Sequence, residues 1–128
     1  ILKNRNIDVL DAFNFLSKNL NSHLIDTRSD LEWKITGIPD LSSINKETNL
    51  INWGPVMNKN FFEKYQKFLL NSFNQEDSLF FICRSGSRSL MATQLAIELG
   101  FNNSFNIYAG FDNESDQNWK KNLPVKFI

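Results

Sequence analysis

The apolar positions along the chain change period several times, and each change marks an element. Between Asp8 and Asn19, and just past it, Val9, Leu10, Phe13, Leu16 and Leu20 recur at helical spacing behind Asp8 as N-cap, which predicts an amphipathic helix. His23-Leu24-Ile25-Asp26 is a short apolar run ending in a polar turn and reads as a strand; Ser29 to Trp33 reads as a short helical turn after it. From Gly37 to Pro55 no period is kept, and an irregular segment is expected with at most a short strand near Leu50 to Asn52. Helical spacing returns from Asn60 to Phe73 through Phe61, Tyr65, Phe68 and Leu69. Leu79-Phe80-Phe81-Ile82 is a continuous apolar run, as expected of a central strand covered on both faces, and Cys83 ends it. Leu90 to Leu99 predicts a second strong helix, with Met91, Leu95 and Leu99 on one stripe, Ala92 and Ala96 beside it, and Gly100 as its C-terminal cap. Phe105 to Tyr108 reads as another buried strand.

Strands and helices alternating at these lengths imply an α/β architecture with a central, mainly parallel sheet flanked by helices. At 128 residues the chain is the size of one domain, 1–128, and no internal repeat is visible. Composition narrows the function classes. The formal net charge is zero and Lys and Arg form no run, which argues against a nucleic-acid partner. No apolar run is long enough to span a bilayer, so no membrane partner is expected. A single cysteine makes no internal disulfide, which fits a reduced, cytoplasmic setting. The chain shows no signal-peptide pattern, although it begins at Ile1 and not Met, which is compatible with a removed leader. The weight in Asn, Lys, Ile and Phe is read as codon bias in an AT-rich genome. Against that background the few arginines stand out: of Arg5, Arg28, Arg84 and Arg88, the last three fall in the segments that carry chemistry.

The chemistry centres on Cys83-Arg84-Ser85-Gly86-Ser87-Arg88-Ser89, a small polar loop between a buried strand and a helix. In open α/β sheets the carboxyl ends of the strands are where ligands bind. Gly86 and the serines permit a tight turn with inward N–H groups, and the start of the following helix adds partial positive charge. Such a loop is an anion cradle with a thiol at its centre, and the amides, Arg84 and Arg88 favour the thiolate, the nucleophilic form. The alternative is a buried, inert cysteine, which is common in cores. Two arginines and a strand-to-helix turn weigh against it.

These residues resemble the active-site loop of the rhodanese family, which runs Cys, usually Arg, Ser, Gly, any residue, Arg, Ser. Two further blocks agree. His23-Leu24-Ile25-Asp26-Thr27-Arg28, with Glu32-Trp33 following, is similar to the family's first conserved stretch. Gly100-Phe101 and Asn106-Ile107-Tyr108-Ala109-Gly110-Phe111 are similar to its closing strand and glycine turn, with Ala109 where the first glycine usually stands. Trp119 to Pro124 resembles the ending of many single-domain bacterial members. One departure is that Gly37-Ile38-Pro39-Asp40-Leu41-Ser42 lacks the histidine of the usual Gly-His-Ile-Pro stretch.

The resemblance implies a rhodanese-like three-layer fold and a sulfurtransferase needing no cofactor. Cys83 would form a persulfide, the amides from Arg84 to Arg88 would hold its anionic sulfur, and Arg84 and Arg88 would attract an anionic donor such as thiosulfate. Partners would be a small-molecule sulfur donor and a thiol, cyanide or sulfur-accepting protein. Asp26, Arg28 and Glu32 are expected to brace the loop through ion pairs more than to touch substrate. His23, the one histidine, is expected at a strand edge or in packing, and without a second ligand it makes no metal site. Two rivals remain. Cell-cycle phosphatases, and an arsenate reductase by extension, share the fold but space Cys and Arg one residue further apart than the four intervening here, Arg84 to Ser87. A sulfur-carrier or binding module would keep the cysteine without turnover.

Overall fold

A computed structural model describes residues 5–54 and 57–128; Ile1, and Pro55 at the end of the irregular segment, lie outside the described residues. The elements are β1 (Asn6–Ile7), α1 (Val9–Lys18), β2 (Ser22–Asp26), α2 (Asp30–Thr36), β3 (Ile38–Pro39), a 3-10 turn (Ser42–Ile44), β4 (Asn49–Leu50), α3 (Lys59–Ser72), β5 (Ser78–Ile82), α4 (Ser87–Glu98), β6 (Ser104–Ile107), α5 (Trp119–Asn122) and β7 (Val125–Lys126). Five strands form one parallel sheet in the order β1-β6-β5-β2-β4, and β3 and β7 pair antiparallel beside it.

The continuous apolar run of β5 is explained by its place at the centre. Phe80 and Ile82 point to one face, where they meet Val9, Ala12 and Leu16 of α1 and Trp119 of α5. Leu79 and Phe81 point to the other, against Tyr65 and Leu69 of α3 and Ala92 and Ala96 of α4. The result is the expected three-layer α/β arrangement. Burial of a large apolar side chain is worth about 1.5–3 kcal/mol, so these two clusters supply the main cohesion. Strands β2 and β5 run in register from Ser22↔Ser78 to Asp26↔Ile82, which brings Asp26 and Cys83 to the same edge of the sheet.

Two helices bury faces that coincide only in part with the stripes their hydropathy marks. Helix α1 begins behind Asp8 as expected, its carboxylate accepting from the Asp11 N–H, but it ends at Lys18. Leu20 therefore falls in the following turn, 87% exposed, Leu10 is also exposed, and the buried stripe is Val9, Ala12 and Leu16. Helix α4 starts at Ser87, three residues before the apolar pattern does, because its first turn belongs to the polar loop. Its buried residues are Ser89, Ala92, Thr93 and Ala96, while Met91 is 44% exposed. Small side chains let this helix lie close to the sheet, and the larger Met91, Leu95 and Leu99 take the margin. Gly100 follows the C-cap Leu99 with φ +98°, the left-handed conformation that ends a helix cheaply only at glycine.

The middle segment is more ordered than its sequence suggests. Ser29 caps α2 through a reciprocal box with Glu32, extending the expected turn to Thr36. Strand β4 lies at Asn49–Leu50 rather than Leu50–Asn52, and beyond it the Ile51 and Trp53 N–H groups donate to the carbonyls of Asp26 and Arg28. That ladder carries Trp53 alongside the end of β2. His23 packs against Phe73, ring centroids 4.6 Å apart, and pairs with Asp77.

Candidate active site

Cys83 follows the last residue of β5, and the chain must turn at once to start α4. Gly86 makes that turn with φ +103°, and a Cβ there would sit 2.7 Å from the Tyr108 carbonyl oxygen, so both conformation and space require glycine. The turn folds the loop back over the sulfur. The N–H groups of Gly86 and Ser89 donate to Cys83 Sγ at 3.1 and 3.3 Å, and Ser89 Oγ lies 3.2 Å from it. The buried thiol thus receives two backbone donors, one from the loop and one from the first turn of α4. Donors so placed stabilise negative charge on sulfur.

The far side of the loop is clamped by the segment after β6. Phe111 N–H donates to the carbonyls of Cys83 and Arg84, and Asn113 Nδ2 donates to Arg84 O at 2.7 Å. Gly110 takes φ +75° and comes so close to the Arg84 carbonyl that no side chain fits. Ala109 has no such demand: its φ is negative, so the alanine in place of a first glycine is free of strain.

Asp26 and Arg28 are both buried and form one unit. Arg28 Nη2 and Nε donate to Asp26 at 2.7 and 3.1 Å, Nη1 reaches Thr36 Oγ1, Nη2 also reaches the Gly37 carbonyl, and the guanidinium lies 3.9 Å over the Phe111 ring. One side chain therefore joins the end of β2, the end of α2 and the segment that clamps the loop. Glu32 and Arg88 form a second, bidentate pair at 2.7 and 3.0 Å, about 30% exposed on each side. Partial burial works to raise the Glu32 pKa, but hydrogen bonds from Arg88 and Ser29 outweigh it and bring it down to about 2. The same pairing raises that of Arg88. Arg84 is exposed, and its guanidinium has no hydrogen bond or ion pair among the described residues.

Every site residue marked in the sequence thus lies at this edge of the sheet, in the loop or in the two ion pairs. Residues that the sequence does not mark as belonging to the site complete it. Asn106 of β6, buried, accepts from the Ser89 hydroxyl at 2.6 Å. A polar residue inside an apolar strand was the available signal, because buried polar groups need partners. Trp53 and Met57, with Met91 and the Glu32–Arg88 pair, line an open groove of about 610 Å³ beside the loop. A second hollow of about 490 Å³ lies by Arg84, Ser85, Tyr108 and Asn113. Among the described residues no His, Cys, Asp and Glu cluster could hold a metal ion, and no helix is long and apolar enough to cross a membrane.

Comparison with known proteins agrees with this geometry. The family model for the rhodanese-like domain matches residues 10–116. The uncharacterized protein RP600 of Rickettsia prowazekii is 38% identical over 125 residues, covering 96% of this chain and 98% of its own. The adenylyltransferase and sulfurtransferase UBA4 of Debaryomyces hansenii is 32% identical over 94% of this chain, which corresponds to 24% of that longer protein. Among solved structures, Rv0390 from M. tuberculosis superposes with a TM-score of 0.80 at 30% identity, covering 94% of this chain and 96% of its own. By sequence, fold and loop alike, the chain belongs to the rhodanese-like domain family.

Proposed function

We propose that the protein is a sulfurtransferase in which Cys83 carries a sulfane sulfur as a persulfide. The observation that carries this reading is the convergence of two backbone N–H donors on a single buried thiol at the strand-to-helix turn. The similarity to a protein named for sulfurtransferase activity supports the same class. The Cys83 thiolate attacks the outer sulfur of thiosulfate; the S–S bond of the donor breaks, and sulfite leaves with the bonding pair. The new outer sulfur is held by the N–H groups of Ser87 and Arg88, which have no acceptor in their own helix. Attack of a thiolate or cyanide on that sulfur then forms the product and returns Cys83 as thiolate. A persulfide donor enters the same scheme, with a thiolate leaving in place of sulfite.

Arg84, exposed and unpaired among the described residues, attracts the anionic donor; Arg88, held by Glu32, shapes the loop. The groove by Trp53 and Met57 accommodates the body of a thiol acceptor, small molecule or protein segment. A reducing, cytoplasmic compartment suits a resting free thiol.

Intact mass measured after incubation with thiosulfate, and again after cyanide, tests the proposal. A gain of one sulfur atom that cyanide removes is expected. An unchanged mass with thiosulfate and with a low-molecular-weight persulfide would overturn it, and so would p-nitrophenyl phosphate hydrolysis outpacing sulfur transfer.

A further inference from the structure

Four groups form a closed hydrogen-bond circuit beneath the loop. Gly86 N–H donates to Cys83 Sγ at 3.1 Å, Sγ lies 3.2 Å from Ser89 Oγ, and the Ser89 hydroxyl donates to Asn106 Oδ1 at 2.6 Å. Asn106 Nδ2 closes the ring by donating to the Gly86 carbonyl at 3.3 Å, and also to Asn6 Oδ1 at 3.1 Å. The member with no choice sets the direction. The Gly86 carbonyl can only accept, so the amino group of Asn106 faces it and the amide oxygen faces Ser89.

A hydroxyl carries one hydrogen. With that hydrogen given to Asn106, Ser89 presents a lone pair to Cys83. A neutral thiol fits this arrangement, because it supplies its own hydrogen to Ser89. A thiolate, or the inner sulfur of a persulfide, has none to give and meets the lone pair. We propose that Asn106 is a positioning residue for Cys83: it holds the Ser89 hydrogen while the thiol is neutral, and Ser89 turns that hydrogen to sulfur once the thiol proton has left to solvent. Asn106 therefore sets a threshold for activating the nucleophile, acting through Ser89.

The charged groups on the elements around Cys83 are Arg88 of α4 with Glu32 of α2, Asp26 at the end of β2 with Arg28 just after it, the exposed Arg84, and, on the segment after β6, Asp112 with Lys120. Substitution at Asn106 changes none of them. Removing its amino group also leaves the Gly86 carbonyl satisfied, because Leu90 N–H donates to it at 3.1 Å.

The inference deepens the sulfurtransferase reading but is tested apart from it, since alkylation consumes the thiolate and needs no sulfur donor. The iodoacetamide alkylation rate of Cys83 is measured against pH for the native protein, Asn106→Leu, Ser89→Ala and the double variant, with thermal melting as the check on folding. Asn106→Leu, close in volume, is expected to move the profile to lower pH by roughly 0.5 to 1 unit, the equivalent of one net hydrogen bond. In the Ser89→Ala background the same change is expected to move nothing. Asn106→Asp keeps the acceptor and adds negative charge, and is expected to move the profile upward. A Leu variant that superposes on the native protein, an equal shift without Ser89, or an Asp profile at or below the native one would each overturn the inference. Failure of the native protein to load sulfur, with these shifts intact, would strike the proposed function and spare the role of Asn106.

Discussion

Both ends of the parallel sheet carry hollows and paired polar side chains, yet these groups are organised differently. At the amino end, near the start of β2, Lys46 and His23 are among the residues that line a hollow of about 500 Å³, and His23 pairs with Asp77. The Lys46 ammonium is spent on the carbonyls of Asn19 and Ser22 and on Ser22 Oγ, all at 2.7 Å, so it caps the turn between α1 and β2. At the carboxyl end the groove is only slightly larger, about 610 Å³, but the donors converge on a sulfur. Volume does not separate the ends. What separates them is whether polar groups end on backbone acceptors, as around Lys46, or on a side chain that can react.

That contrast is broken most sharply by removing the reacting atom. Cys83→Ser is expected to abolish sulfur loading entirely, since a hydroxyl forms no persulfide, while the melting temperature stays near the native value. Loading retained in the variant, read by intact mass, would move the chemistry elsewhere.

The next largest effect is expected from the braces. Arg28→Met leaves Asp26 buried without its cation and also removes the guanidinium from Phe111. Breaking one side of a buried pair costs about 3–5 kcal/mol. Urea denaturation should show a loss of that order, and a loss under about 1 kcal/mol would mean that Thr36, Gly37 and Phe111 hold the edge without the ion pair.

How much of this was legible in the sequence follows from distance along the chain. The loop from Cys83 to Ser89 is contiguous, so its turn, its thiol and its helix start could be read together; Asp26 and Arg28, two positions apart, stand out at the end of an apolar strand. The strands β1, β3 and β7, two residues each, carry no periodic signal and exist through pairing with distant partners, as Asn6 does with Asn106. Trp53 reaches the site only because its N–H bonds to Arg28 O, a contact across the irregular segment. The buried face of α4 is shifted from its apolar stripe for another reason. Hydropathy favours Met91 and Leu95 over Ala92 and Ala96, whereas a helix lying close against a sheet selects small side chains.

A smaller effect, dependent on pH, is expected at Glu32. Its pKa lies at about 2 in the folded protein against an ordinary 4.5, so its pairing contributes stability that is fully present above 4.5 and is lost as pH falls through that range toward 2. Glu32→Gln should therefore be less stable than the native protein near neutrality, by about 1 kcal/mol for a partly exposed pair, and the difference should shrink below pH 4. Denaturation at several pH values measures it. A difference constant from pH 7 to pH 3 would show that the ionised carboxylate contributes nothing beyond its shape.

The smallest effect is expected at the amino end, and it tests whether the two ends are separate. His23 is 28% exposed, pairs with Asp77 at 3.0 Å and packs on Phe73. Asp77 keeps the Asn74 N–H as a donor when His23 is removed, so His23→Ala should cost only the net worth of one hydrogen bond, about 0.5–1 kcal/mol, with a small addition from lost packing. His23 and Asp26 stand three positions apart on β2, about 10 Å at the rise of a strand. At that spacing, with no shared partner, two substitutions are expected to add within about 0.5 kcal/mol. The Arg28→Met, His23→Ala double variant should thus lose the sum of the single losses, and His23→Ala alone should leave the rate of Cys83 alkylation unchanged. A coupling well above that limit would show that β2 transmits strain along its length, and the amino end would then belong to the machinery that holds the thiol.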